Sequence, residues 1–196
     1  MPHPLLARNY WIFDMDGTLT VAKHDFGAMR AALGLPADQA ILESLAALPP
    51  AEAAPIYLRL QAMELEIAER SEAAEGAIEL LEYLQAQSCR IGILTRNSLL
   101  NTKVTLKAAG LAQYFTSDHL ISRDCAAPKP HPAGIERLLA QWQAAPQQAV
   151  MVGDFVYDLQ AGRAAGTSTL YIDPSAAFSD REYADWCVQS LAELLA

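Results

Sequence analysis

Tyr10-Trp11-Ile12-Phe13-Asp14-Met15-Asp16-Gly17-Thr18 is the stretch on which the reading of the whole chain turns. Tyr10–Phe13 is a short apolar run rich in β-formers. It stops abruptly at polar residues, as a buried strand does when it runs into a loop. The pattern recurs at Arg90–Leu94 before Thr95-Arg96-Asn97, at Ala149–Val152 before Gly153-Asp154, and at Ser168–Ile172 before Asp173-Pro174. Helical periodicity fills the intervals over Ala77–Gln87, Ser98–Ala109, Pro132–Gln143 and Asp158–Ala165. Strands alternating with helices predict an α/β fold, a parallel sheet with helices on both faces. Ligands in such sheets sit beyond the carboxyl ends of the strands, so the polar strand ends are the place to look for chemistry.

Between Leu19 and Glu75 the strand pattern disappears. Helix-like segments cover roughly Phe26–Leu33, Asp38–Leu48 and Ala51–Arg70, punctuated by Pro36 and Pro49-Pro50. A helical block at this point reads as an insertion that overhangs the first strand end. The expected division is a catalytic core of residues 1–19 and 76–196, with an inserted α-helical unit over 20–75. Glu64, Glu69, Glu72 and Glu75 read as a solvated helix face, and Trp11, Trp142 and Trp186 as core or helix-packing residues.

The chain has 196 residues, 52% of them hydrophobic, and a formal net charge of −9. It is long enough to bury a core without disulfides or metal staples. The negative charge argues against a general affinity for nucleic acid or anionic membranes. Cys89, Cys125 and Cys187 are odd in number and form no CxxC, so neither a disulfide framework nor a zinc site is expected. The sequence shows no secretory h-region and no apolar run of membrane-spanning length, and a cytoplasmic location is expected.

Asp14 and Asp16 crowd two carboxylates behind one strand, and Asp154 and Asp158 add two more behind another. Like charges converge in this way when a cation holds them. An all-oxygen donor set suits Mg²⁺, which keeps water and substrate phosphate as further ligands. Thr95 offers a hydroxyl at the second strand end. Lys129 lies in a loop stiffened by Pro128 and Pro130, where a fixed ammonium can offset the charge of a phosphoryl group. Carboxylates, metal, hydroxyl and lysine together are what phosphoryl transfer needs.

Four segments together resemble the haloacid dehalogenase (HAD) superfamily: Ile12-Phe13-Asp14-Met15-Asp16-Gly17-Thr18-Leu19, Ile93-Leu94-Thr95-Arg96-Asn97, Pro128-Lys129-Pro130, and Val152-Gly153-Asp154-Phe155-Val156-Tyr157-Asp158. The resemblance spans nearly the whole chain. It implies a Rossmann-like core with a helical cap at 20–75. It implies Asp14 as nucleophile, forming an aspartyl-phosphate, and Asp16 as general acid/base. Mg²⁺ would be held by Asp14, the Asp16 carbonyl and Asp154, with Asp158 acting through water or holding Lys129. Thr95, the Arg96 amide, Gly17 and Lys129 would hold the phosphoryl oxygens and balance their charge.

A carboxylate at position 16 fits, by the same resemblance, phosphate esters, whose alkoxide leaving group needs a proton. The leading expectation is therefore a Mg²⁺-dependent phosphatase of a small phosphorylated metabolite, similar to phosphoglycolate phosphatases. A phosphomutase on sugar phosphates, using the same aspartates, is the alternative. A non-catalytic binding or regulatory protein on this fold is the third. The segment Thr20–Asp25 departs from the Asp-Ser that many members with such a cap carry, and the cap is short. Lys23 and His24 are candidates either for substrate contact or for a solvated hinge. Arg96 is open between substrate contact and a surface salt bridge. The physiological substrate, and the choice between monomer and small homo-oligomer, stay open.

Overall fold

The computed structural model describes residues 3–196. Its strands are β1 (Tyr10–Phe13), β2 (Arg90–Leu94), β3 (Leu120–Ile121), β4 (Ala149–Gly153), β5 (Ser168–Ile172) and β6 (Trp186–Val188). They form one 6-stranded sheet in the order β3-β2-β1-β4-β5-β6. Each neighbouring pair is parallel. The four strands expected from apolar runs are all present. β3 and β6, only 2 and 3 residues long, are edge strands too short to show a pattern.

The core helices are α4 (Ala77–Ala86), α5 (Leu99–Ala108), α6 (Ala133–Trp142) and α7 (Val156–Ala165). Side chains alternate across the sheet, as the pleat requires. Trp11, Phe13, Ile93, Val150 and Val152 pack on one face with Leu80, Leu84 and Leu106 of α4 and α5. Ile12, Leu94 and Met151 pack on the other with Ile135, Leu138 and Ala161 of α6 and α7. Both faces of the central strands are therefore dry, which is why they read as unbroken apolar runs. Trp11 is fully buried, but Trp186 is 38% exposed on the edge strand β6, so it is not core material.

The helices between β1 and α4 are α1 (Phe26–Leu33), α2 (Ile41–Ala46) and α3 (Pro50–Ala68). Asp25 caps α1 by accepting from the Ala28 amide at 2.9 Å. Met29, Leu33, Ile41, Leu45 and Leu60 form an apolar cluster of their own, apart from the two sheet clusters. The chain leaves and re-enters through two antiparallel connectors. The Val21 amide donates to Glu72 O at 3.0 Å, and the Ala74 amide to Leu19 O at 2.9 Å. The expected helices match closely, except that the segment from Asp38 folds only at Ile41–Ala46.

The strand order places the site. The chain runs outward from β1 to β2 and β3, then crosses back to β4 on the other side of β1. β1 and β4 thus flank the crevice where the winding reverses, and the residues after their carboxyl ends, Asp14 and Asp154, face each other there.

Candidate active site

Strand register sets the floor of the site. Phe13 pairs with Val152 and with Ile93, and the Asp14 amide donates to Val152 O at 2.8 Å. This anchors Asp14 one step beyond the sheet. Gly17, in the turn that follows, has φ +84°, and a Cβ there would lie 2.1 Å from Asp154 Oδ2. Only glycine lets the β1 turn close on the Asp154 carboxylate. Gly153 plays the same part behind β4, where a Cβ would stand 2.2 Å from that of Asp158.

One oxygen each of Asp14, Asp154 and Asp158 come within 4.8 Å of one another. Lys129 is buried among them. Its Nζ donates to Asp14 Oδ1 at 2.5 Å and stands 2.5 Å from Asp158 Oδ1 as an ion pair outside hydrogen-bond alignment. The other Asp158 oxygen accepts from the Phe155 amide at 3.0 Å, so this carboxylate also ties down the start of α7. Thr18 Oγ1 donates to Asp154 Oδ1 at 3.4 Å.

The electrostatics follow from burial. Desolvation alone would lower the Lys129 ammonium, but Asp14 and Asp158 outweigh it and hold the pKa above its ordinary value. Asp154 is pushed up to about 8, first by burial and then by the Asp14 and Asp158 charges. Asp158 is raised to about 6 by burial, with Lys129 opposing. Three carboxylates against one ammonium leave excess negative charge, and the donors are all oxygen. This acidic triad could hold a hard divalent metal.

Asp16 turns away from the triad. Its Oδ2 accepts from Asn97 Nδ2 at 2.5 Å, and its Oδ1 lies 3.9 Å from His24 Nδ1. Burial raises its pKa, Asp14 adds to the rise, and His24 and Asn97 oppose it. Thr95 is buried; its hydroxyl accepts from the Asn97 amide at 3.1 Å and keeps its own proton to donate. Thr95 is not the cap of α5. Ser98 fills that place, accepting from the Asn101 amide at 3.2 Å.

Asp14, Asp16, Thr95, Arg96, Lys129, Asp154 and Asp158 all line one cleft of about 510 Å³. Its opposite wall comes from α1, α2 and α3. Residues as far apart in sequence as Asp14 and Asp158 thus meet in one place, as the strand-end argument requires.

A family model of haloacid dehalogenase-like hydrolases matches residues 26–166. The chain belongs to this family. It is 27% identical over 192 residues to an uncharacterized hydrolase of Saccharomyces cerevisiae, covering 94% of this chain and 88% of that protein. A hydrolase from Pseudomonas syringae has the same fold, with a TM-score of 0.78, 21% identity and 96% of both chains covered. So does a predicted phosphoglycolate phosphatase from Haemophilus somnus, with a TM-score of 0.76, 20% identity, and 96% of this chain and 97% of that chain covered.

In this haloacid dehalogenase-like hydrolase, several residues differ from their sequence reading. Glu64 is not part of a solvated face; it is buried on α3, accepting from Arg123 Nη1 and Nη2 at 2.8 Å each and from Asn101 Nδ2 at 3.0 Å. Arg123, which sequence reasoning passed over, also donates to Tyr57 OH at 3.1 Å and to Arg96 O at 3.3 Å. No local spacing signals this network, because its members come from α3, α5 and the loop after β3. Arg96 pairs with Glu43 of α2 at 2.5 Å while its guanidinium covers Tyr157, 5.4 Å from the ring centroid. Lys23 and His24 part company: Lys23 clamps the connectors through Arg70 O at 2.6 Å and Glu72 at 2.5 Å, whereas His24 lines the cleft.

Proposed function

We propose that this hydrolase is a Mg²⁺-dependent phosphatase of a small phosphomonoester, working through an aspartyl-phosphate on Asp14, with residues 20–75 as a helical cap. The observation that carries this reading is the buried Lys129 ammonium between Asp14 and Asp158, beside Asp154 and within the same cleft as Asp16. Groups suited to act as nucleophile, charge balance, acidic cluster and proton donor thus line one cleft at the carboxyl ends of β1 and β4. The Haemophilus somnus protein of this fold is described as a predicted phosphoglycolate phosphatase, in line with this reading, although a proposed β-phosphoglucomutase shares the fold too, so the choice rests on the test below.

In the first step an Asp14 oxygen attacks phosphorus, the ester P–O bond breaks, and the Asp16 proton goes to the leaving oxygen. The raised pKa of Asp16 keeps that proton available, as a general acid requires. Asn97 and Thr20 hold the Asp16 carboxyl by hydrogen bonds at 2.5 and 3.5 Å. In the second step the Asp16 carboxylate removes a proton from water, the water oxygen attacks phosphorus, and the bond to Asp14 breaks. Thr95, the Arg96 amide, Gly17 and Lys129 hold the phosphoryl oxygens, and Lys129 balances their charge. Asp14, Asp154 and the Asp16 carbonyl would hold Mg²⁺, with Asp158 acting through water or through Lys129. The ion would neutralise charge on the transferring group. A cap over the cleft would exclude bulk water before attack.

The test is phosphate release over a panel of sugar phosphates, phosphoglycolate, nucleotides and phosphoamino acids with Mg²⁺. Turnover that EDTA abolishes and Mg²⁺ restores is expected. An isomerised ester without free phosphate would make the protein a phosphomutase. No turnover of any ester would point to a binding protein.

A further inference from the structure

We propose that Arg30 binds a second anionic group, a carboxylate or a phosphate, on the leaving portion of the substrate. This deepens the phosphatase reading and rests on it. Cations that line the cleft are mostly committed to carboxylates: Lys129 to Asp14 and Asp158, Arg96 to Glu43, and Arg123 to Glu64. Arg30 also lines the cleft, and among the described residues it has no side-chain ion pair or hydrogen bond. Its Nε is buried without a partner. A chain with net charge −9 has carboxylates to spare, yet among the described residues none is placed against this guanidinium. A buried donor without an acceptor is costly, and an anion with two acceptor oxygens seated on the guanidinium fork removes that cost bidentately.

A track of side chains leads from the reacting end to Arg30. His24 stands 3.9 Å from Asp16 and stacks on Phe26, with ring centroids 5.3 Å apart. Phe26 and Arg30 are i, i+4 neighbours on α1 and share one face of it. Met29, Ile41 and Leu60 add apolar wall beside them. The cleft therefore offers phosphoryl chemistry at one end, apolar surface along its side and a free cation beyond. The matching substrate has a body several bonds long with a negative group at its far end.

Matched esters test this. 6-Phosphogluconate against the open-chain glucitol 6-phosphate isolates a carboxylate, and fructose 1,6-bisphosphate against fructose 6-phosphate isolates a phosphate. The wild-type enzyme should prefer the charged member of at least one pair, and which pair identifies the anion. Arg30→Met should lower kcat/KM for that member by about 10- to 100-fold, chiefly through KM, the size of one charge-assisted pair. The uncharged member should change by less than about 3-fold, within the usual scatter for losing a contact outside the reacting centre. Arg30→Lys should restore part of the preference. Equal loss on both members, or no wild-type preference in either pair, overturns the proposal; the second outcome does not depend on any variant folding. If no panel ester releases phosphate, the phosphatase reading itself fails, and this inference with it.

Discussion

Two buried charge clusters, only a few residues apart in the cleft wall, are built on opposite principles. Around Lys129, three carboxylates meet one ammonium, and burial, together with the Asp14 and Asp158 charges, pushes Asp154 up to about 8. Around Arg123, one carboxylate meets one guanidinium fork, with Asn101 donating to the carboxylate and Tyr57 OH and Arg96 O accepting from the guanidinium. The second cluster is balanced in charge and richly hydrogen-bonded, as a structural ion pair must be to survive burial. The first is unbalanced and unsettled, and an imbalance of that kind marks a site shaped for something that arrives from outside. The difference teaches that burial of charge alone says little about function; the residual charge says more.

The strongest way to break the comparison is to remove Asp14. Asp14→Asn should take turnover to background, a loss of at least about 10⁴-fold, and rapid-quench experiments with ³²P-labelled substrate should trap no phosphoenzyme. Label on another residue would refute the assignment. Asp16→Asn should cost roughly 10²–10⁴-fold on alkyl phosphates, whose leaving alkoxide needs a proton. The loss in the first step should be smaller with p-nitrophenyl phosphate, giving a burst of nitrophenol and slow turnover afterwards. Equal rates for both esters would reject Asp16 as the acid.

The balanced cluster should respond through stability. Glu64→Ala strands the Arg123 guanidinium and should cost about 3–5 kcal/mol in chemical denaturation. A Glu64→Met, Arg123→Met double substitution should recover most of it, because the unpaired charge is gone; a fully additive loss would contradict this account.

The unbalanced cluster should do the reverse in metal-free protein. Burial raises the Asp154 pKa from an ordinary carboxylate value to about 8, so the native state binds a proton that the unfolded chain has lost. That contribution is fully present below about pH 4 and is lost as pH rises toward 8. In EDTA, Asp154→Asn should therefore stabilise the protein by at least about 1 kcal/mol at pH 9 and hardly at all at pH 4. Thermal melts at the two values check it, and a pH-independent difference would remove the argument. Least affected should be the rim. Glu43, about half-exposed opposite Arg96, should lose less than about 1 kcal/mol of stability on conversion to alanine.

Much of the fold was legible because it rests on local signals. Tyr10–Phe13, Arg90–Leu94 and Ser168–Ile172 are strands at the expected residues, and Phe26–Leu33 is a helix as expected. Apolar runs between polar breaks are what strands dry on both faces look like. β3 and β6 left no such run. At the site, Asp14, Asp16, Thr95, Lys129 and Asp154 could be picked out because each stands just after a strand or in a proline-flanked loop, and Asp158 because it lies in the first turn of the helix after β4; the sheet sends all such ends to one crevice.

By itself, then, the sequence determined which residues alternate between strand and helix and which carboxylates collect at the strand termini. Both are matters of spacing along the chain. Only the tertiary structure decided that His24 faces the cleft while its neighbour Lys23 clamps the connectors, that Glu64 is buried on Arg123 rather than solvated, and that Arg30 has no counter-charge among the described residues. Glu64 and Arg123 stand 59 residues apart and meet only because α3 packs against α5, beside the loop after β3. Periodicity reports which face of an element is apolar; which side chain from a distant element arrives opposite a charge depends on how the elements pack together.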